Sequence, residues 1–305
     1  MKWVINFHPN LAHKWQNHFI ILVPMLWFMV FLLIPFLFVL TISFTLPANG
    51  IPPFTAILEY TDHTLHIILH LSNYLQTLSS HLVFIALFDS ISVAFFTTLL
   101  CIMVGYPMTL ALSQIKRKNV QLIFLIMIII PYWTSFLLRT YGWVTLLGNH
   151  QLNVFLMKLG LSSMALLYNN FSMYLGMVYC YLPFLVLPLY ATLIKLDPIL
   201  NEAAADLGAT PIKTFFKVTL PLSMSGLIAG SLLVFIPAVG EVVVPQIMGG
   251  LNSVMIGSVI WEQFFTANNW GMSAAMSVVL LIILVIPVIW MQKTQRGQAK
   301  ASGSQ

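Results

Sequence analysis

Charge is what this 305-residue chain lacks most: 7 % of its residues are Asp, Glu, Lys or Arg, and 59 % are hydrophobic. Soluble chains carry roughly 25 % charged residues. The scarcity excludes a single water-soluble core, and the mean hydropathy of +0.93 agrees. It equally excludes a disordered chain, which needs high charge and low hydrophobicity. Cysteine is nearly absent too. Cys101 and Cys180 lie far apart in apolar stretches, which leaves no disulfide framework and no metal-ligand spacing. The net charge of +5 gathers into no basic stripe with interleaved aromatics, so no nucleic-acid partner is expected. There is no G-x-x-x-x-G-K-S/T phosphate loop, and the nearest approach, Gly208 to Lys213, fails the pattern. H-E-x-x-H, a nucleophile elbow and a catalytic carboxylate pair are missing as well. The chain reads as no enzyme, with no cofactor of its own. What remains is a polytopic protein of a lipid bilayer.

A helix needs about 20 apolar residues to cross a bilayer. Six spans are expected, near Phe19–Leu40, Leu82–Leu112, Val120–Leu147, Met173–Leu196, Val218–Pro245 and Ala274–Met291. The first apolar run is too long for a cleaved signal and no small-residue cleavage site follows it. No Lys or Arg lies between Lys14 and Lys116. With the N-terminus inside, eleven of the 13 basic residues fall on the inner side, Lys158 lies outside, and Arg139 lies within span 3. That asymmetry predicts both termini cytoplasmic.

The outer loop after span 1 carries His63, His66 and His70 at i, i+3 and i+7, one face of a helix, with Glu59 and Asp62 nearby. The pattern suits either a metal site or the wet face of an amphipathic surface helix packed through Leu65, Ile68 and Leu69. Prolines recur within the spans, as in a bundle that opens and closes, although a static bundle carries them too. Gly226 and Gly230 form a small-xxx-small pair that predicts close helix packing.

The most informative stretch is Leu196–Leu222. Asp197 and Pro198 read as a helix start, and Ile199 to Leu207 as a short alanine-rich helix. Gly208 reads as its C-cap, and Thr210-Pro211 as the start of a second helix that runs into span 5. A helix–Gly–helix elbow is expected at the cytoplasmic surface. An ordinary solvated loop is the plainer alternative.

E-A-A-A-D-L-G-A-T, followed by V-T-L-P-L, resembles the EAA loop of ABC-importer permease subunits. Ser135–Trp143, Met177–Tyr190, Val234–Glu241 and the segment from Met255 to Phe265 are similar to the polyamine branch, to the putrescine permeases first and the spermidine permeases second. The likeness runs from about span 2 to the C-terminus. It implies an all-α fold of six transmembrane helices, the MetI-like type I importer permease. It implies residues 1–80 as tail, first span and periplasmic loop, 81–292 as the core, and 293–305 as a cytoplasmic tail. Glu202, Ala203, Ala204, Asp206 and Gly208 would form the face that docks on an ATPase subunit, and Leu220 and Pro221 would close the motif. The implied partners are an ATPase dimer holding ATP and Mg, a second homologous permease and a periplasmic polyamine-binding protein. The implied place is a bacterial inner membrane.

A polyamine is a flexible polycation, so its path needs acidic or aromatic groups. Ionisable groups within spans are costly and thereby functional candidates. Asp89, Arg139 and Glu241 are expected near the outer ends of spans 2, 3 and 5. The two carboxylates read as ammonium receivers, or as partners of a structural ion pair with Arg139. Tyr132, Trp133 and Tyr141 cluster at that level, in the pore or in an interfacial belt. Trp261 and Glu262 read as an outer loop over the cavity. An importer permease for another small cationic or organic solute, and an ion-coupled secondary transporter, are the rival readings. A channel and a membrane-embedded enzyme rank behind them for want of a filter or an acid–base cluster.

Overall fold

The computed structural model describes residues 21–48, 50–55, 57–61, 64–149, 166–250 and 254–302. It forms two compact units. One comprises residues 1–77 and 263–279, the other 78–262 and 280–305.

In the first unit, α1 (Ile21–Ile42) is apolar on every side and mostly exposed, as a helix solvated by lipid tails is. It widens to a π-helix at Met29–Leu33, one turn before Pro35. A proline ring clashes with the carbonyl four residues back, and the wider turn makes room for it. A two-stranded antiparallel hairpin follows, β1 (Leu58–Thr61) and β2 (Thr64–Ile67), with Glu59 opposite His66. The helical histidine face expected there is therefore incorrect. His66 lies on a strand, His70 follows the strand, and His63 falls outside the described residues. The β-branched and aromatic content of Tyr60, Thr61, Thr64 and Ile67 outweighs the i, i+3, i+7 coincidence. Among the described residues no cluster of metal-ligating side chains occurs. Helix α2 (Ser72–Ser79) is tied down by buried Asn73, whose amide donates to the carbonyls of Ser43 (3.0 Å) and Thr45 (2.7 Å).

The second unit is built on three mutually packed helices: α3 (His81–Ser113), α6 (Asn170–Leu193) and α8 (Pro211–Val239). Between α3 and α6 the sequence adds α4 (Lys118–Ile129), a 3-10 turn (Ile130–Trp133) and α5 (Phe136–Leu147). After α8 come α9 (Val243–Met248), α10 (Ile256–Trp261) and α11 (Trp270–Ser302), the last shared between the units.

The described residues depart from the six expected spans in three places. Span 3 is broken: the segment through Trp133 and α5 meet at 95° across Thr134-Ser135. Pro131 removes a backbone donor just before the bend, and Ser135 takes an extended conformation that starts a new helix. Span 5 stops at Val239, and Gly240 and Glu241 form a break before α9. Among the described residues four helices are long and apolar enough to cross a membrane, the bent pair makes a fifth, and Trp270–Ile286 is a shorter apolar stretch where the sixth was expected.

Glycine lets α6 and α8 approach. A Cβ on Gly230 would sit 2.8 Å from the Leu185 carbonyl oxygen and 3.1 Å from its Cα, and one on Gly226 would strike Thr192 and the Pro188 carbonyl. Backbone cannot yield as a side chain does, so the small-xxx-small reading holds. Tyr106 and Ser223 add a 2.6 Å hydroxyl bond between α3 and α8. Gly230→Leu should therefore separate the helices and lose most folded protein, because overpacking of this kind costs about 1–3 kcal/mol. Gly142→Leu, in open space, should be tolerated. The yield of monodisperse protein after detergent extraction distinguishes the two.

Candidate functional site

The elbow forms as expected. Helix α7 (Ile199–Asp206) begins where the Asp197 carboxylate accepts the Ile199 amide at 3.0 Å. It ends in paired bonds, Gly208 N–H to Ala205 O (2.8 Å) and Ala209 N–H to Ala204 O (3.0 Å). These are the two bonds of a Schellman C-cap, which needs a left-handed residue, and Gly208 has φ +78°. The Thr210 hydroxyl then caps α8, accepting from Lys213 N–H at 3.4 Å. Thr219 donates to the Asn201 amide oxygen at 3.3 Å and pins α7 against the base of α8.

Glu202, Ala203, Asp206 and Gly208 are exposed, and Ala204 is half-buried. Leu220 packs inward with Tyr106, Leu189 and Leu193. Pro221 is exposed in the first turn after a second π-helix, Phe215–Thr219, which makes room for its ring as in α1. Two large apolar side chains flank the elbow in the open, Leu207 at 89 % and Ile212 at 71 % exposure. Neither stood out in the sequence, where an isolated leucine or isoleucine carries no periodic signal.

The polar residues of the spans fall into two groups. Glu241 is buried at the α8–α9 break. Its Oε1 accepts the backbone N–H groups of Val242 (3.2 Å), Val243 (2.9 Å) and Val244 (3.3 Å), and its Oε2 accepts the Tyr181 hydroxyl. The carboxylate thus caps α9. It does not sit inside span 5, because the helix ends before it. Phe184 packs against both Tyr181 (6.2 Å between centroids) and Tyr132 (5.0 Å).

Arg139, on α5, faces rings. Its guanidinium carbon lies 4.6 Å from the Tyr132 centroid and 5.6 Å from that of Phe136. Its Nε is buried without a hydrogen-bond partner. Among the described residues it makes no ion pair with Asp89 or Glu241, so the expected structural pair is not formed. Rings thus link Arg139 to Glu241 in the order Tyr132, Phe184, Tyr181. Tyr181 and Phe184 were not singled out in the sequence. The available signal was a tyrosine hydroxyl inside an apolar span, which must find a partner.

Asp89 stands apart from this group. It is half-buried on α3, and among the described residues its carboxylate has no hydrogen bond or ion pair. Tyr174 on α6 lies within its electrostatic reach, and Phe96 packs edge-on against that ring at 6.5 Å. The neighbouring Ser90 is buried and accepts the Ile256 amide at 2.8 Å, which fixes the α3 face that presents Asp89. Trp133 and Tyr141 are exposed at 87 % and 52 %. Trp261 closes α10 and Glu262 opens the π-turn after it, both exposed, so these two are helical and not part of a loop.

Known proteins place this geometry. The spermidine/putrescine transport system permease protein PotB of Escherichia coli (strain K12) is 40 % identical over 225 residues, 72 % of this chain and 81 % of that protein. PotB of Haemophilus influenzae is 35 % identical over 263 residues, 85 % and 87 % of the two chains. A bacterial ABC transporter that imports the acidic polysaccharide alginate shares the fold, with TM-score 0.64 at 12 % identity over 94 % of this chain and 97 % of that one. The helical permease architecture is thus confirmed. The family model for the inner membrane component of binding-protein-dependent transport systems matches residues 102–296. The chain belongs to that family, whose members are multi-pass transport components of the inner membrane and not enzymes.

Proposed function

We propose that this chain is the permease subunit of an ATP-driven polyamine importer and forms half of its translocation path. Identity of 35–40 % to spermidine/putrescine permeases over most of the chain carries the reading. The exposed elbow supports it, since a rigid α7 pinned to α8 by Asn201 can turn movement of a docked subunit into movement of a span. The partners are an ATPase dimer that holds ATP and Mg, a second permease and a periplasmic polyamine-binding protein. The elbow is the ATPase contact, through Glu202, Ala203, Ala204, Asp206 and Gly208. ATP-driven approach of the two elbows opens the path outward, and hydrolysis resets it.

Asp89 is the acidic residue of the path, because an unpaired half-buried carboxylate beside an aromatic ring suits an alkylammonium. Glu241 and Tyr181 frame the path, with Tyr132, Trp133, Tyr141, Trp261 and Glu262 along its outer end. Arg139, a cation, acts on gating.

The test is ATP-dependent uptake of labelled putrescine and spermidine into proteoliposomes that hold the full complex. Wild type should import one or both. Asp89→Asn should raise KM about tenfold, the loss of one charge-assisted contact. Uptake of neither polyamine, with ATPase stimulated by another binding protein and its ligand, would retain the importer and remove the polyamine.

A further inference from the structure

Between the end of α3 and the start of α4 lies a cavity of about 590 Å³. Met108, Ala111, Leu112 and Ile115 form one wall and Phe124 and Met127 the other. Gln121 keeps the two helices together, its amide donating to the Leu112 carbonyl at 3.1 Å. The lining is apolar, and Phe124 and Met127 are half exposed or more, so the cavity opens sideways from the helices.

Directly beside it, the connecting turn carries Lys116, Arg117 and Lys118, all exposed. Among the described residues none of them is paired with an acid. Ile115 also lines a second cavity of about 310 Å³, whose walls include Lys116 on one side and Pro198, Asn201 and Thr219 on the other. The cationic turn thus adjoins the foot of the elbow.

We infer that this is a binding site for one anionic phospholipid, with an acyl chain in the α3–α4 cavity and its phosphate on the Lys116-Arg117-Lys118 turn. An apolar cleft topped by three cations matches an amphiphile with an anionic head and fits a neutral lipid or an uncharged transmembrane helix poorly. Basic residues at the end of membrane spans attract anionic headgroups, and apolar clefts between spans take their tails. The inference rests on the membrane family, not on the polyamine. Seated there, the lipid stiffens the turn that faces the foot of the elbow across the second cavity, so that coupling depends on lipid composition.

Native mass spectrometry of the purified complex tests the site, with phosphatidylglycerol and phosphatidylcholine as probes. Wild type should retain phosphatidylglycerol in preference to phosphatidylcholine, and inorganic phosphate should not displace it. The triple variant Lys116→Gln, Arg117→Gln, Lys118→Gln should retain about tenfold less or lower still. Ala111→Phe, which fills the cavity and leaves the cations, should also lose it. Should the triple variant fail to assemble, Ala111→Phe decides alone. Equal retention of both lipids by wild type overturns the inference, as does undiminished retention by Ala111→Phe. Displacement by inorganic phosphate overturns it in favour of a simple anion site. A photocrosslink from position 124 to the second permease overturns it in favour of a protein contact. Lipid retention needs no uptake, so failure of the polyamine reading leaves this result intact, and the converse holds.

Discussion

Glu241→Ala should destabilise the folded permease by about 2–4 kcal/mol, the cost of stranding several buried donors at once. The side chain serves three valine amides and one tyrosine hydroxyl. Removing it uncaps α9, which alone costs about 1 kcal/mol, and leaves the Tyr181 hydroxyl buried with no acceptor. Tyr181→Phe should cost less, about 1–2 kcal/mol, because the amides keep their acceptor. The double variant should cost less than the sum, since the two residues share one bond. Glu241→Gln should fall between wild type and alanine, because its amide oxygen can still cap α9. Thermal unfolding of the purified complex gives the order, and uptake per folded complex gives the role. If Glu241→Ala unfolds like wild type yet imports nothing, the carboxylate acts on the cargo and the capping account fails.

The elbow was legible because its signals are local. Asp197, Pro198, Gly208, Thr210 and Pro211 each specify a backbone state within two or three residues. Gly208, Thr210 and Pro211 take the expected part, while the N-cap falls on Pro198, one residue after the expected Asp197, whose carboxylate still accepts the Ile199 amide. The Gly226–Gly230 pair was legible for a similar reason, since its fixed spacing has one dominant use. Longer-range features were harder to read. Hydropathy carried span 5 through Gly240 and Glu241 because Val242 to Val244 resume the apolar run, and a break there shows only when the carboxylate's donors are known. Span 3 read as continuous because an apolar stretch looks the same straight or bent. The histidine pattern misled because three residues match a helical face by chance in a stretch whose remaining residues favour a strand. The pairing of Tyr181 with Glu241 joins residues 60 apart in sequence, and no single-chain periodicity reports that.

Gly208→Val should cut coupled transport about tenfold or more while leaving the permease in the membrane. Gly208 sits at φ +78° with open space around it, so the obstacle to a side chain is the backbone conformation alone. Forcing an L-residue into the left-handed region costs roughly 1–2 kcal/mol, and a β-branched one lies at the upper end. The cheapest relief is to open the Schellman turn, which breaks the bonds to Ala204 and Ala205 and frees α7 to swing away from Thr219. The change is local and exposed, so the α3–α6–α8 core keeps its packing. Uptake should fall at least about tenfold for a coupling penalty of that size. Gly208→Asn, which tolerates the left-handed region, should restore most of it. Glu202→Lys, which reverses a charge on the exposed face without touching the backbone, should weaken ATPase copurification, while its elbow keeps the wild-type fold. Normal uptake by Gly208→Val with an intact complex would show that the elbow's shape plays no part in coupling.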